Sequence, residues 1–398
     1  MHTYNISWQL TGSEDTACTR ILAAYAIRSS HSTLQLSIYT MSAVLVTGIT
    51  GFLGAHVAHT FLQHSHPVHA TLRSPAKLVP LLQSPIFSPF IASGQLKLFV
   101  VGDLEVADYG EAMKGVERVV HTAFKTDITA TDFRKGLLDV GVDGMRRVFD
   151  AVDKSPEIKS VVITSSMGAC NDIKTAWEKQ AGTVVTDDTW NSYTLEEVDE
   201  LCASKAPTNE AGWRTGMVMY MVAKKYAELF AWEQYKAAQA RGKTWSLTAI
   251  IPTMILGPPI QPITPPLLMS SVSTMVMWLL AQGPESQVFS PPASIWFIDV
   301  RDCAEEHYRA AIKGKTGRYI SGSGIYDFQQ ITELLPTLYP DQAARFAKGE
   351  PGQRLSLNPG SYRIESKMRE EFGVEYRGLE TVVKDTFDRL FELEKQGL

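Results

Sequence analysis

Along residues 43 to 251 the spacing of apolar positions switches back and forth between two patterns. Val44-Leu45-Val46-Thr47 is a compact β-branched and apolar run that stops at Gly48, and an apolar face at helical spacing then covers Leu53 to His64. A short uninterrupted run reads as a buried strand, and a face recurring every three or four residues reads as an amphipathic helix. The exchange repeats downstream. Strand Val68 to Leu72 is followed by a Pro-rich helical piece near Ala76 to Leu82, a strand near Leu98 to Val101, a short helix before Lys114 and strand Val119-Val120. A long helix from about Phe133 to Val152 then leads to strand Val161 to Ile163. Repeated βα units need right-handed crossovers and build a parallel sheet covered on both faces. The expected fold class is α/β, with a doubly wound parallel sheet.

Beyond Tyr220 a helix runs to about Ala240, and Trp245 to Ile251 reads as another buried strand. The alternation then decays into proline-rich stretches, with helical patterns only at Phe328 to Leu338 and Leu379 to Glu394. Three parts are expected: an extension at 1–40, a mainly nucleotide-binding domain at 41–255 that carries the chemistry, and a smaller lobe over 256–398. Some segments of that lobe should return to the sheet, with the rest beside the carboxyl ends of its strands, where open α/β sheets bind ligands. Residues 1–40 are open to three readings: an unstructured segment, an artefactual extension ahead of a start at Met41, or a targeting peptide. Arg20 and Arg28 suit targeting while Glu14 and Asp15 oppose it, and the unstructured or artefactual extension is favoured.

Composition narrows the classes. With 398 residues, 44% hydrophobic and 20% charged, the chain can bury a large core. Its net charge of -5 argues against a nucleic-acid or anionic-membrane partner and leaves a small molecule. No Asp or Glu occurs between Thr16 and Gly102, a span that either suits an anionic cofactor or is depleted by chance. Cys18, Cys170, Cys202 and Cys303 lie far apart without metal-ligand spacing, so no metal is expected, and reduced thiols in a cytoplasmic protein are the simplest account. Thr244 to Pro284 carries no charge, but its prolines leave only Leu267 to Leu280 unbroken, too short to span a bilayer.

Candidate chemistry lies at the strand ends. Gly48, Gly51 and Gly54 follow the first strand at three-residue steps and open a helix. Glycine there admits backbone angles closed to other residues, and the free N–H groups of a helix start suit a pyrophosphate. The second strand ends in Arg73, with Lys77 a turn later, where an NAD-binding fold carries Asp or Glu. The two are either solvated bases or the partners of a 2′-phosphate, and the second reading favours NADP(H). Asp103, before Leu104, either accepts from an adenine amino group or caps a turn. His121-Thr122-Ala123 ends the fourth strand, with His121 read as a core histidine. Ser166 ends the next strand, and Tyr220 is the only tyrosine with Lys four residues on, at Lys224. Positions i and i+4 share a helix face, and an ammonium there favours the phenolate, so Tyr220 could exchange a proton with a carbonyl oxygen held by Ser166.

These motifs resemble the extended short-chain dehydrogenase/reductase superfamily. TGITGFLG, Thr47 to Gly54, is similar to its TGxxGFxG turn, and YMVAK, Tyr220 to Lys224, to its YxxxK signature. Within it, RSPAK (Arg73 to Lys77), GDL, VVITSS, IIPTMILGPP (Ile250 to Pro259) and FIDVRD (Phe297 to Asp302) resemble the dihydroflavonol reductase-like group, especially fungal-type aldehyde, ketone and methylglyoxal reductases. The resemblance covers roughly Ser42 to the C-terminus. It implies a Rossmann domain and a smaller C-terminal substrate lobe. It also implies catalysis by Ser166, Tyr220 and Lys224, and NADP(H) held by Gly48, Thr50, Gly51, Phe52, Leu53, Gly54, Arg73, Lys77, Asp103, Leu104, Thr122, Ala123, Tyr220, Lys224, Pro252 and Met254.

The implied function is NADPH-dependent reduction of an aldehyde or ketone, in secondary metabolism by family association, by a monomer or homodimer. The substrate pocket is expected to involve Phe124, Met167, Met254 and Trp296. The alternatives are a nucleotide-sugar epimerase or dehydratase with bound NAD, which Arg73 and Lys77 oppose, and a non-catalytic NADP sensor, which the intact Tyr/Lys pair opposes. The chain departs from its relatives at Phe124 and Lys125, where they carry smaller residues or proline, and in a longer interval between Ser166 and Tyr220. That interval holds Trp177, Trp190 and Trp213 and is read as a substrate-side loop.

Overall fold

The computed structural model describes residues 42–126, 132–172, 174, 180, 182–203, 210–263, 271–288, 296–353 and 362–397. Its strands are β1 (Ala43–Thr47), β2 (Val68–Leu72), β3 (Leu96–Val100), β4 (Val116–His121), β5 (Ser160–Thr164), β6 (Val184–Thr186), β7 (Ser246–Pro252), β8 (Met254–Leu256), β9 (Trp296–Asp299), β10 (Gly317–Ser321), β11 (Gly324–Ile325) and β12 (Arg363–Glu365). Five helices position the site: α1 (Phe52–Gln63), α2 (Asp139–Asp153), α3 (Glu210–Ala240), α4 (Val300–Lys313) and α5 (Leu379–Lys395). Seven strands form a parallel sheet in the order β3-β2-β1-β4-β5-β7-β10. The order reverses between β1 and β4, so the crevice at their carboxyl ends is the switch point where such sheets bind ligands.

The central strands are buried on both faces, which is why they read as unbroken apolar runs rather than alternating ones. Along β1, Val44 and Val46 join one core with Ala55, Ala58 and Phe61 of α1 and Val300, Cys303 and Ala304 of α4. Ala43 and Leu45 point the other way, into a core with Val148, Phe149 and Val152 of α2 and Ala231 and Ala238 of α3. The period-two geometry of a strand thus assigns each side chain to one helical layer.

Beyond the main sheet, β8, β9 and β11 make a three-stranded sheet, and β6 pairs with β12. The lobe has its own core, in which Phe297, Tyr326 and Phe328 meet Phe387 and Leu390 of α5. β10 comes from this later part of the chain yet pairs with β7 at the edge of the main sheet. Among the described residues no helix is long and apolar enough to cross a membrane.

The expected short helix before Lys114 is absent, and turns occupy that stretch. Glycine decides it locally. Gly102 and Gly115 take left-handed φ of 85° and 73°, and the Asp108 carboxylate accepts from the Gly110 N–H at 2.9 Å. A side chain that bonds the backbone two residues on competes with helix formation. β3 also starts earlier than expected, at Leu96, because the Val68 N–H pairs with the carbonyl of Gln95. The long helix before β5 opens with a widened π turn, Arg134–Leu138. Residues 1–40 lie outside the described residues.

Gly54 controls how closely α1 meets the end of β1. A Cβ on it would stand 2.2 Å from the Gly48 carbonyl oxygen and 2.7 Å from Thr122 Oγ1. Both neighbours are held, because the Gly51 N–H donates to that carbonyl at 2.9 Å and Thr122 Oγ1 donates to the Thr47 carbonyl at 2.7 Å. Gly54→Ala is therefore expected to cost about 3 kcal/mol, the upper end of the usual overpacking penalty. Urea unfolding measures it, and an unchanged midpoint would show that the turn relaxes freely.

Candidate active site

At the switch point Thr47 ties two strand ends together. Its Oγ1 accepts from the Thr122 and Ala123 N–H groups at 3.1 and 3.2 Å and lies 2.8 Å from His121 Nδ1. With two donors already on that oxygen, the hydroxyl proton goes to Nδ1, which leaves His121 neutral with its proton on Nε2. Burial favours the same state, pushing the imidazole down to about 3, with the Lys224 charge adding to the effect.

Gly48 has φ of +79° and lies so near Ala123 that a Cβ would stand 3.1 Å from the alanine methyl. The backbone N–H groups of Thr122 and Ala123 are thus committed to Thr47. α1 begins at Phe52 with Gly51 as its cap residue, no capping side chain and no acid in the first turn. Its first N–H groups are left for another acceptor. Thr50 is partly exposed, Leu53 is buried, and Phe52 packs edge-on against His56 with ring centroids 6.0 Å apart.

Arg73 and Lys77 are both exposed just beyond β2. Arg73 Nε lies 3.5 Å from an Asp103 carboxylate oxygen, with both side chains about two-thirds or more open to water. A pair so exposed contributes little to stability and is readily exchanged for another anion. Leu104 packs on α2, where a Cβ on Gly144 would stand 3.2 Å from its own Cβ.

Ser166, Tyr220 and Lys224 converge at the carboxyl end of β5. Ser166 follows that strand, and its Oγ accepts the Gly168 N–H at 3.1 Å, which fixes the hydroxyl. The Ser166 side chain neighbours the Tyr220 phenol. Packing around the phenol pushes Tyr220 above the ordinary tyrosine value, and the nearby Ser166 hydroxyl opposes that rise. Lys224, 5% exposed, donates to the Thr164 carbonyl at 3.0 Å. Burial pushes its ammonium down to about 7, opposed by the charge of Glu228. The Phe124 ring contacts both: its centroid is 3.9 Å from Lys224 Nζ and 6.0 Å from the Tyr220 ring centroid. Gly48, Ala123, Phe124 and the Tyr/Lys pair are therefore in a continuous line of contact.

The other residues named from the sequence divide. Pro252 ends β7 and is buried, pairing with Ser321, while Met254 and Trp296 stay partly exposed. Met167 does not line an open pocket. It is 3% exposed and packs with Cys170, Val185, Ile251, Ile320 and Tyr362, because the tight turn after Ser166 points it inward. Trp177 and the side chain of Trp213 lie outside the described residues. Two surface cavities of about 710 and 640 Å³ lie elsewhere, one beside Tyr109 and Arg147 and the other beside His59 and Arg377. Among the described residues no group of three or more His, Cys, Asp or Glu could hold a metal.

Several positions the sequence did not single out support the site. His307 Nδ1 donates to the Cys303 carbonyl at 2.7 Å, so its Nε2, 2.8 Å from Thr164 Oγ1, accepts. Glu228, one turn beyond Lys224, accepts from Ser165 Oγ at 2.5 Å, Trp232 Nε1 at 3.1 Å and Arg318 Nε at 2.7 Å. Arg318 also donates to the Asp187 and Thr189 carbonyls and stacks on Trp190, its guanidinium carbon 3.6 Å from the ring centroid. Helical spacing from Lys224 could have flagged Glu228, but nothing local flagged Arg318.

Fold and site together define an oxidoreductase of the doubly wound class. A sequence profile of the NAD dependent epimerase/dehydratase family matches residues 44–190. An uncharacterized oxidoreductase of Schizosaccharomyces pombe is 29% identical over 355 residues, covering 88% of this chain and 97% of that protein. The NADPH-dependent methylglyoxal reductase of Saccharomyces cerevisiae is 26% identical over 362 residues, covering 88% and 99%. Gre2 from Candida albicans, solved in complex with NADPH, superposes with a TM-score of 0.73 at 26% identity, covering 88% and 99%. Dihydroflavonol 4-reductase of Zea mays is 28% identical over 350 residues, covering 87% of this chain and 86% of that protein, so the chain is similar throughout to reductases of this kind.

The Arg318–Glu228 pair is 9% and 1% exposed. Removing one partner of a buried pair strands the other charge, at about 3–5 kcal/mol. Arg318→Met should lower stability by that amount in urea, and Glu228→Gln on the same background should recover part of it. Equal stability of the three proteins would show that the pair is bypassed.

Proposed function

We propose that this protein reduces an aldehyde or ketone of moderate size to the alcohol with NADPH, Tyr220 supplying the proton. The observation that carries the reading is the convergence of Ser166, Tyr220 and Lys224 at the strand ends beside the glycine turn, linked to it through Ala123 and Phe124.

The residues present suit the dinucleotide. The slot kept open by Gly54 and the uncapped start of α1 would take its pyrophosphate, and exposed Arg73 and Lys77 would take a 2′-phosphate in place of the weak Asp103 contact. Thr50, Gly51, Phe52 and Leu53 frame that slot, Asp103 and Leu104 would border the adenine, and Pro252 and Met254 would border the nicotinamide. Bound NADPH supplies the hydride. The Ser166 hydroxyl holds the carbonyl oxygen, and the Tyr220 hydroxyl gives up its proton as negative charge builds there. Lys224 lies near the balance point between its two charge states at neutral pH, and its ammonium form stabilises the phenolate left behind. In alcohol oxidation the phenolate takes the proton back.

The substrate wall is formed by Phe124, Met254 and Trp296. We assign the enzyme to the cytoplasm, as a monomer or homodimer modifying a secondary metabolite, a placement supported by the free thiols of Cys170, Cys202 and Cys303.

A panel of carbonyls run in parallel with NADPH and NADH should give turnover preferentially with NADPH. Tyr220→Phe should lower kcat by about 10²–10⁴-fold, the usual contribution of a positioned proton donor. Near-normal turnover in that variant would remove Tyr220 from the chemistry. Replacing Arg73 and Lys77 together by Glu should raise the KM for NADPH about tenfold or more, with little effect on NADH, since each phosphate bond is charge-assisted. Equal effects on both cofactors would refute the 2′-phosphate assignment.

A further inference from the structure

We propose that Phe124 is a positioning residue for the Tyr220/Lys224 pair, its ring face holding the Lys224 ammonium and its plane standing nearly perpendicular to the Tyr220 ring. The proposal rests on the reading that this pair handles the proton.

The geometry is specific. The centroid of the Phe124 ring is 3.9 Å from Lys224 Nζ, and the ring stands at 84° to that of Tyr220. A slot on α2 receives it: a Cβ on Gly141 would stand 2.7 Å from Phe124 Cε2 and 3.0 Å from Cζ. The backbone just before Phe124 is fixed, because the Ala123 N–H donates to Thr47 and its methyl packs on Gly48. One aromatic side chain thus transmits the position of the glycine turn to both members of the pair.

An aromatic face attracts an ammonium through its quadrupole and does not attract a neutral amine in the same way. The other groups facing Lys224 can be named element by element. Its own helix presents Tyr220 and Glu228, and β4 presents neutral His121. The end of β5 presents the Thr164 carbonyl and the hydroxyls of Ser165 and Ser166, with neutral His307 of α4 behind Thr164. β10 presents Arg318, which engages Glu228 and offsets part of its charge. Phe124 therefore adds to the Glu228 charge in keeping Lys224 protonated against burial. Without the ring face Lys224 should lose its proton at lower pH, and the phenolate should lose its counter-charge.

The test is competitive acetylation of the purified protein with acetic anhydride, with the extent at Lys224 followed by peptide mass spectrometry from about pH 5 to pH 10. Four proteins are compared: wild type, Phe124→Leu, Phe124→Tyr and Gly141→Ala. Phe124→Leu removes the aromatic face, and Gly141→Ala pushes the ring from its slot without altering the ring itself. Both should lower the midpoint of Lys224 by about half a unit to one unit, and Phe124→Tyr should keep the wild-type midpoint. In the pH profile of alcohol oxidation with NADP⁺, the rising limb should move alkaline in the first two and stay put in the third. Identical Lys224 midpoints in wild type and Phe124→Leu, or a tyrosine variant that behaves like leucine, would overturn the proposal. Acetylation requires no turnover. An active Tyr220→Phe would therefore sink the functional reading while leaving the Lys224 measurement intact, whereas unchanged midpoints beside an inactive Tyr220→Phe would sink Phe124 alone.

Discussion

The start of α1 rests on the end of β1 with no side chain between them, and the site is laid out from that contact. Because Gly54 adds nothing beyond its backbone, the Gly48 carbonyl and Thr122 Oγ1 can both sit within the reach of a missing Cβ. The carbonyl is held by the Gly51 N–H, and Thr47 gathers the first N–H groups after β4. Ala123 then seats against Gly48, and Phe124 is carried to Lys224. A side chain inserted at Gly54 would press on Gly48 after β1 and Thr122 after β4 together. Close-packed interiors transmit such a displacement rather than absorb it.

A second constraint is the cost of keeping charge out of water. Tyr220, Lys224 and Glu228 occupy successive turns of one face of α3, so phenol, ammonium and carboxylate form a ladder pressed against the end of β5. Buried ions are tolerated only when their hydrogen bonds are met. Lys224 has the Thr164 carbonyl and the Phe124 face, while Glu228 has Ser165, Trp232 and Arg318. Arg318 in turn holds the backbone of Asp187 and Thr189 and stacks on Trp190. A stretch within the interval between Ser166 and Tyr220 is thereby anchored to α3 through a charge rather than a greasy surface. Such a bond is directional, so it specifies one placement of the loop.

The sequence made legible what depends on local periodicity and on short spacing. β2 spans Val68–Leu72 as its apolar run indicated, and Phe328–Leu338 is helical over the residues its pattern marked. The glycine turn and the Tyr220/Lys224 spacing were readable because each is complete within a few residues. The stretch before Lys114 misled, since its apolar positions fit a helix while Asp108 and the glycines favour turns. Met167 misled for a related reason. A residue next to a candidate catalytic serine looks like a pocket wall, but the turn after Ser166 sends it into the core. His307 and Arg318 were invisible because their partners lie across the sheet. The hydrogen bond of Thr164 to His307 spans 143 residues and that of Glu228 to Arg318 spans 90. No pattern within one segment encodes such a meeting.

The way the lobe is joined to the sheet limits how the site can adapt. Only Thr253 separates β7 from β8, and its N–H and hydroxyl both reach the Ser321 carbonyl at the end of β10. β9 runs directly into α4, where Asp299 caps the helix and holds Arg301, and Arg301 reaches across to Asp385 of α5. Three separate passages between sheet and lobe, at β7, β9 and β10, are thus short and hydrogen-bonded. Hinge closure needs a few residues free to absorb large backbone rotations, and none of these passages offers them. On the proposed reading, accommodation of differently shaped carbonyls falls to side chains such as the partly exposed Met254 and Trp296, while Phe124 keeps the spacing between the glycine turn and the Tyr220/Lys224 pair fixed.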